Sequence, residues 1–368
     1  MQQIPLFKSY VHHTAAQYVN QVLVTTLLSE GEGVKTFESK LTETLGLVNP
    51  IAVNSGTSAL HLALLLAGIG PGDEVICPAQ TFVATALAIL YTGATPIFVD
   101  IKYDTGNIDP KDIEHRITEK TRALMVVHWG GYPCDMTEIQ AIASKYGLAV
   151  IEDAAHALGA TYQNQPIGSI ADFTCFSFQA TKHLTTGDGG ALCCKDDANY
   201  HRALKARWLG IDRANTTPSI LGERQFDIST LGYKYHLNDY AAALGLANLE
   251  TFPQRLAKRQ SYAKRYIEAL KTTPGITLFN IKTDRQHAYW CFGLHVEKRE
   301  NFIRALHSKG IHTSVVHQRI DRNSIFGDIR EDLPEQSRFS ATQINIPLHD
   351  GLDDDTVDYI IQTVLAGW

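Results

Sequence analysis

The chain has 368 residues, of which 44% are hydrophobic and 20% charged, as in an ordinary globular protein. Its 33 basic and 39 acidic side chains leave a net charge of −6, which offers no electrostatic footprint for a nucleic acid or a membrane. The 6 cysteines are scattered without a CxxC pair, which predicts buried thiols and no zinc or iron–sulfur site. Residues 1–8 lack a signal-peptide pattern, and no apolar run approaches the ~20 residues of a membrane span. We therefore expect a soluble cytoplasmic protein.

Strand-like apolar runs alternate with helical stretches in the first half of the chain. In chain order, the sequence predicts a strand at 49–53, a helix at 57–67, a strand at 73–78, a helix at 82–92, strands at 96–100 and 123–128, a helix at 135–146 and a strand at 148–152. Continuous apolar strands separated by helices predict an α/β fold with a mostly parallel central sheet covered on both faces.

The pattern changes after Asn238. The stretch to about Lys271 is helix-rich and long enough to connect two domains. Beyond it, the predicted elements are a strand at 289–296, a helix at 299–309, a strand at 311–316 and a helix at 353–365. This mixture predicts a smaller C-terminal α+β domain. We divide the chain into a large domain at 1–250 and a small domain at 251–368, with the boundary somewhere between about 240 and 275.

Lys182 is the most informative residue because of its surroundings. It follows an apolar run at 176–178 and precedes the Gly-rich turn at 187–190, so the backbone turns sharply beside it. Asp153 ends the apolar run at 148–151, at the edge of a sheet where α/β proteins usually bind ligands. A lysine can form a Schiff base with an aldehyde, and a carboxylate can hold a protonated pyridine nitrogen. The pair therefore predicts pyridoxal 5'-phosphate as a cofactor.

Residues 54–60 join the end of a strand to the start of a helix. Gly56 allows close backbone approach, the helix N-terminus offers free N–H groups to an anion, and Thr57 and Ser58 add hydroxyl donors. The segment is compatible with a phosphate site and also with a helix cap that binds nothing. Taken singly, Asp153 and Lys182 are likewise compatible with structural or surface roles, so the argument depends on their joint order.

These ordered motifs resemble those of the nucleotide-sugar aminotransferases, fold-type-I pyridoxal-phosphate enzymes related to aspartate aminotransferase. The motifs lie at 33–38, 54–60, 70–76, 152–156 and 177–182, and the resemblance extends to the C-terminus. It implies that Lys182 holds the cofactor covalently and that Asp153 keeps its ring nitrogen protonated. Phe82 would stack on the ring, and His156 would lie beside the ring or its 3-oxygen. The phosphate would be held by Gly56, Thr57, Ser58 and Ser177.

The resemblance also implies a homodimer with shared active sites. Segment 232–239 matches one that reaches the phosphate of the partner subunit in this family. Many relatives carry Asn where Lys234 stands, so the donor in this chain is Lys234 or His236. A monomer would then be inactive. By a weaker match, Trp208 and Arg213 would lie near the active site.

The implied reaction has two halves. L-glutamate would give its amino group to the cofactor, leaving pyridoxamine phosphate, and a keto-sugar nucleotide would then take the group, with Lys182 as acid and base. We expect a 4-keto-6-deoxy sugar, although UDP, dTDP or GDP and amination at C3 or C4 all stay open. The product would serve a polysaccharide, a glycan or an antibiotic. His317 and Arg319 follow a predicted strand and could bind the sugar nucleotide or form a salt-bridged surface loop.

Two other functions compete with this interpretation. A sugar dehydratase of the same family replaces the Schiff-base lysine with histidine, whereas this chain keeps Lys182 and His183 merely follows it. A non-catalytic regulatory protein could bind the cofactor or a sugar nucleotide, but it would not need Lys182, Asp153 and Ser177 together. Both comparisons favour transamination.

Overall fold

The computed structural model describes residues 3–368 as an α/β protein. The helices are α1 Ala15–Thr25, α2 Glu32–Leu45, α3 Gly56–Leu66, α4 Ala84–Tyr91, α5 Pro110–Arg116, α6 Met136–Tyr146, α7 Asp197–Ala206, α8 Asp239–Leu249, α9 Phe252–Leu270, α10 Arg299–Ser308, α11 Pro334–Thr342 and α12 Asp354–Leu365. The strands are β1 Pro50–Val53, β2 Glu74–Pro78, β3 Thr95–Val99, β4 Thr121–Val127, β5 Ala149–Asp153, β6 Thr161–Tyr162, β7 Gln165–Pro166, β8 Phe173–Ser177, β9 Gly190–Cys194, β10 Thr217–Pro218, β11 Arg224–Gln225, β12 Ile276–Leu278, β13 Arg285–Gln286, β14 Phe292–Val296 and β15 Gln343–Ile346.

The central sheet has seven strands in the order β1-β9-β8-β5-β4-β2-β3. Strands β8, β5, β4, β2 and β3 are mutually parallel, whereas β9 is antiparallel to both of its neighbours. Strand β1 therefore runs in the same direction as β8. This confirms the predicted mostly parallel sheet.

Both faces of this sheet are buried. Along β4, Leu124 and Val126 join one hydrophobic cluster, while Ala123 and Met125 join the other. Alternate side chains of a strand point to opposite faces, so the unbroken apolar run of β4 requires helices on each side. The predicted cover on both faces is confirmed.

The sheet brings distant parts of the chain to one edge. Asp153, the last residue of β5, is paired in register with Cys175 of β8. Ser177 at the end of β8 is paired with Gly190, and Val53 at the end of β1 is paired with the same glycine. The loops that follow these three parallel strands therefore meet at the carboxyl edge of the sheet.

A second, antiparallel sheet of three strands lies in the C-terminal part, in the order β12-β14-β15. Its apolar side chains form a third cluster with α9, α10 and α12. The N-terminal segment contributes to this cluster through Ile4, which forms a parallel bridge with Ile311. The division of the chain at residue 250 stays a prediction.

The predicted strand at 311–316 is wrong. Only isolated bridges form there, from Ile311 to Ile4 and from Ser314 to Asn345. Because the pairing partner changes within three residues, no continuous β-ladder forms. The segment ends at Val316, whose φ of 64° is left-handed and therefore costly for a β-branched residue. The strand predicted at 289–296 is real but begins at Phe292, because Tyr289 has a φ of 50°.

All 6 cysteines are buried and unpaired, as predicted. Within residues 3–368, every helix is too short or too polar to cross a membrane.

Candidate active site

A cavity of about 580 Å³ opens at the carboxyl edge of the central sheet. This volume lies within the usual range for small-molecule sites. Most of the predicted site residues line it, namely Gly56, Thr57, Phe82, Asp153, His156, Ser177, Lys182 and His317. The sequence motifs therefore converge on one site in the fold.

Asp153 is a buried carboxylate that lines this cavity. Thr85 donates a hydrogen bond from Oγ1 to Asp153 Oδ2 at 2.7 Å, and the N–H of Ala155 donates to Oδ1 at 3.2 Å. Burial raises the pKa of the Asp153 carboxyl, and these two hydrogen bonds oppose that rise by stabilising the charged form. The carboxylate is therefore held in place for a cationic partner.

Lys182 projects into the same cavity from the loop after β8. Its Nζ lies 3.9 Å from the ring centroid of Trp290, and it forms no ion pair within the described residues 3–368. Burial lowers the pKa of the Lys182 amine to about 8, while the charge of Asp153 acts in the opposite direction. An amine with this pKa is available as a nucleophile and a base near neutral pH.

Two histidines lie on the cavity wall. The His156 ring stacks on Trp290 with centroids 3.8 Å apart, and the His317 ring lies 5.9 Å from His156. His156 Nδ1 and His317 Nε2 are both buried without a hydrogen-bond partner among residues 3–368. Burial, and then the nearby Lys182 charge, lower the pKa of His156 well below its ordinary value and that of His317 to about 4. Both rings are therefore neutral at physiological pH.

The N-terminus of α3 also lines the cavity. Ser55 caps this helix by accepting a hydrogen bond from the N–H of Ser58 at 3.0 Å. Gly56 and Thr57 line the cavity, and the N–H groups of both lack a protein acceptor within the described part of the chain. A Cβ on Gly56 would lie 2.9 Å from Ser177 Cβ, so only glycine lets the helix approach β8 this closely. The N–H groups and the nearby hydroxyls of Thr57 and Ser177 provide donors for an anion.

Ser58 does not join this donor set. Its hydroxyl donates to Asn54 Oδ1 at 2.6 Å, its N–H is used in the cap, and the residue does not line the cavity. Both groups of Ser58 are thus used in the cap region of α3, and its expected phosphate contact stays a prediction.

The residues present fit pyridoxal phosphate. An amine, a buried carboxylate and a helix N-terminus without acceptors for its first N–H groups share one cavity of suitable size. The side chain of Phe82 is 52% exposed, so its phenyl ring presents apolar surface to the cavity. Each group in this set matches one chemical feature of the cofactor.

The sequence model of the DegT/DnrJ/EryC1/StrS aminotransferase family matches residues 10–365. The chain belongs to this family. Spore coat polysaccharide biosynthesis protein SpsC of Bacillus subtilis is 38% identical over 95% of this chain and 92% of its own. GDP-perosamine synthase of Escherichia coli O157:H7 is 34% identical, covering 99% of this chain and 98% of its own. The solved structure of sugar aminotransferase CalS13 from Micromonospora echinospora has a TM-score of 0.94 and 35% identity, covering 99% of this chain and 100% of that one.

This DegT/DnrJ/EryC1/StrS enzyme is a pyridoxal-phosphate-dependent sugar aminotransferase with the fold-type-I architecture. The resemblance, the cofactor and the type of reaction predicted from the sequence are confirmed. The individual site residues stay proposals, supported by the geometry described above.

Arg319 lies in a network of buried hydrogen bonds outside the cavity that Lys182 lines. Its guanidinium is buried, and two of its nitrogens donate to the two carboxylate oxygens of Asp321 at 2.7 and 2.6 Å. It also donates to Ser337 Oγ and to the carbonyl of Arg330. These bonds fit the salt-bridged loop of the alternative interpretation, and the predicted contact of Arg319 with the substrate stays a prediction.

Lys234 and His236 lie outside the cavity of their own chain. Lys234 is exposed, with Nζ 3.8 Å from the ring centroid of Trp208, and the guanidinium of Arg213 lies 4.4 Å from the same ring. His236 is half-buried, and burial and then the charge of Lys234 lower its pKa to about 4. Within one chain, neither residue reaches the predicted phosphate site.

Several residues in or behind the cavity wall were not predicted from the sequence. Thr85 holds Asp153, Trp290 contacts Lys182 and His156, and Leu6 and Phe7 of the N-terminal segment line the cavity. Trp290 was assigned to the predicted strand at 289–296, and nothing in that pattern indicated a place in the site. No local pattern linked residues 6 and 7 to Lys182, because the contact depends on the tertiary fold.

Within residues 3–368 no cluster of His, Cys, Asp or Glu is suited to a metal ion.

Proposed function

We propose that this enzyme transfers the amino group of L-glutamate to a keto-sugar nucleotide, at C4 of a 4-keto-6-deoxy sugar. The observation that carries the proposal is the amine of Lys182, with a pKa of about 8, in the same cavity as the buried carboxylate of Asp153. The name of its relative GDP-perosamine synthase supports a nucleotide-linked substrate, and that of SpsC supports a role in polysaccharide synthesis.

Each residue has a role that follows from its contacts. When bound, pyridoxal phosphate supplies an aldehyde for the amino group and a ring that accepts the electron pair left by a departing α-proton. Asp153 keeps the ring nitrogen protonated, and Thr85 keeps Asp153 charged and oriented. Gly56, Thr57 and Ser177 bind the phosphate. Phe82 covers the ring, since its exposed side chain lies at the cavity.

Lys182 carries the proton. Burial lowers the pKa of its amine to about 8, so no strong base is needed to deprotonate Nζ. The neutral amine then takes a proton from the α-carbon of the donor. The protonated amine would then deliver this proton to the carbon of the cofactor that had carried the aldehyde, so that the proton moves from one carbon to the other. In the second half of the reaction it runs these steps in reverse on the sugar.

The neutral imidazoles supply contacts without charge. His317 lines the cavity with an unpaired Nε2, and it is suited to a hydrogen bond with a sugar hydroxyl once the side chain adjusts to the substrate. His156 stacks on Trp290 beside the ring site. A charged histidine at either position would repel Lys182, so their low pKa values serve the reaction.

The active form is proposed to be a homodimer. Large apolar side chains are exposed at the end of α1 and in the loop around β10 and β11, namely Leu23, Val24, Leu27, Leu28, Ile220, Leu221, Phe226, Ile228 and Leu231. Exposed apolar side chains of this size are typical of a protein interface. A second copy that covers it is proposed to bring Lys234 or His236 to the phosphate of the first.

The dehydratase alternative is disfavoured by the position of His183. Its Nε2 bonds to the carbonyl of Leu158 at 3.0 Å, the ring is buried, and the residue does not line the cavity. It therefore has no access to the reaction that Lys182 serves.

The test is an amination assay with L-glutamate and a panel of UDP-, dTDP- and GDP-linked keto sugars, at both C3 and C4. We expect one 4-keto-6-deoxy substrate to be aminated by the native enzyme and none by Lys182→Ala or Lys182→Arg. The exposed Lys111→Ala variant is the matched control and should keep native activity. Appreciable amination by either Lys182 variant would overturn the assignment.

A further inference from the structure

Trp290 contacts the proposed catalytic amine directly. The Nζ of Lys182 lies 3.9 Å from the centroid of its ring. The indole is only 2% exposed, and its Nε1–H donates to the carbonyl of Thr181, the residue before Lys182, at 3.0 Å. One side chain therefore touches the amine and also ties down the backbone next to it.

The indole is itself held in a fixed orientation. His156 stacks on it at 3.8 Å with an interplanar angle of 11°, and Phe7 stacks on it at 4.9 Å with an angle of 20°. The backbone N–H of Trp290 donates to the carbonyl of Gly130 at 2.9 Å. Ser9 in turn holds the N-terminal segment to the Lys182 loop through the carbonyl of Ala180 at 2.6 Å. These contacts make Trp290 a preformed surface.

The surroundings of Lys182 offer its charge little else. The titratable groups that face it are Asp153, His156, Cys291 and His317. Both imidazoles are neutral, burial keeps the Cys291 thiol protonated, and the oxygens of Asp153 already accept hydrogen bonds from Thr85 and Ala155. The π face of a tryptophan attracts a buried ammonium by a cation–π interaction.

We propose that Trp290 is a positioning residue that receives the Lys182 amine whenever it is not bonded to the cofactor. In transamination the donor displaces this amine, which must then stay close to the reacting carbon while it carries the proton. Trp290 holds it there and stabilises its protonated form. The inference rests on the proposed role of Lys182 in the reaction.

The test measures the pKa of Lys182 in the cofactor-free full chain, by competitive acetylation over a pH series with peptide mass spectrometry. The 4 tryptophans are replaced by progressively fluorinated tryptophans, which keep the shape of the ring but weaken its π face. We expect the pKa of Lys182 to fall by about one unit across the series, because the protonated form loses stabilisation. In Trp290→Phe, the matched background, the same series should leave that pKa unchanged.

A second measurement separates positioning from simple packing. Trp290→Leu should lower kcat for the donor half-reaction about 10-fold with little change in the KM for the donor, and Trp290→Phe should recover most of that loss. Trp368→Leu also removes an indole with an N–H to carbonyl bond, to Glu297, but lies outside the cavity and should not change kcat.

An unchanged Lys182 pKa in the fluorinated protein, or an equal shift in the Trp290→Phe background, would overturn the role of Trp290. Neither result depends on turnover. Failure of the proposed function would show instead as amination by Lys182→Ala.

Discussion

At the scale of single residues, the account depends on keeping Asp153 charged in a buried site. Burial raises the pKa of its carboxyl, and the hydroxyl of Thr85 is the main group that lowers it again. The hydroxyl of Thr81 lies 2.6 Å from Thr85 Oγ1 and does not itself bond to Asp153. Thr85 therefore acts on the cofactor through Asp153.

Thr85→Val should move the acid limb of the pH–rate profile to higher pH, since Asp153 then protonates more easily. The loss of one hydrogen bond to a charged group, about 1.5–3 kcal/mol, corresponds to roughly one to two pH units. The profile of donor half-reaction rate against pH measures this. Thr81→Val is the control and should shift the limb much less, and an equal shift in both variants would contradict the role of Thr85.

The sequence predicts some residues of the site better than others, for physical reasons. Asp153 was predicted because it ends the apolar strand β5, and Lys182 because it lies in the loop between the apolar strand β8 and a Gly-rich turn, so the sheet brings both to one edge. Thr85 and Trp290 were missed because their contacts cross from other segments. A guanidinium can pair with either a phosphate or a carboxylate, so the sequence did not reveal that Arg319 pairs with Asp321, only two residues away.

At the scale of elements, the N-terminus of α3 is sensitive to the addition of a single methyl group. Gly56 is packed against Ser177 so closely that an added Cβ would lie 2.9 Å from its Cβ. The helix would have to move away from β8, which widens the distance between the N–H groups and the Ser177 hydroxyl. Cofactor binding should suffer more than folding.

Gly56→Ala should weaken pyridoxal phosphate binding about 10-fold and destabilise the fold by roughly 1–2 kcal/mol. Titration of the cofactor-free protein and thermal unfolding measure the two effects. Gly70→Ala is the matched control, because no atom lies within 4 Å of the added Cβ. Native affinity in Gly56→Ala would contradict the placement of the phosphate at this helix.

Element boundaries were predictable where the hydrophobic period is strong. The strands and helices predicted between 49 and 153 agree with the structure to within two residues. The segment at 311–316 has the same apolar character, but its backbone pairs with Ile4 at one end and with Asn345 further along. A local pattern does not reveal such a change of partner.

At the scale of the whole molecule, the proposed shared site makes a distinctive prediction. A site would combine Lys182 of one chain with Lys234 of the other. Each single variant, Lys182→Ala and Lys234→Ala, should therefore be inactive or strongly impaired as a homodimer. Their heterodimer should contain one fully native site.

Heterodimers isolated by two different affinity tags should recover about half of the native activity, because one of two sites is intact. The double variant, with both substitutions in one chain, is the control. If sites are shared, pairing the double variant with a native chain should impair both sites. If each site were confined to one subunit, the native chain would keep one native site. A heterodimer of the single variants with no activity above its parents would contradict sharing through Lys234, and full activity of Lys234→Ala would leave His236 as the donor.

The central claim is that Lys182 holds pyridoxal phosphate in a site that accepts an amino group from L-glutamate. The measurement that tests it most directly is the visible absorption spectrum of the purified protein with pyridoxal phosphate, before and after L-glutamate is added. We predict a visible band that is absent in Lys182→Ala and that moves to the pyridoxamine form when L-glutamate is added. A native spectrum without that band, or a band that L-glutamate leaves unchanged, would contradict the account.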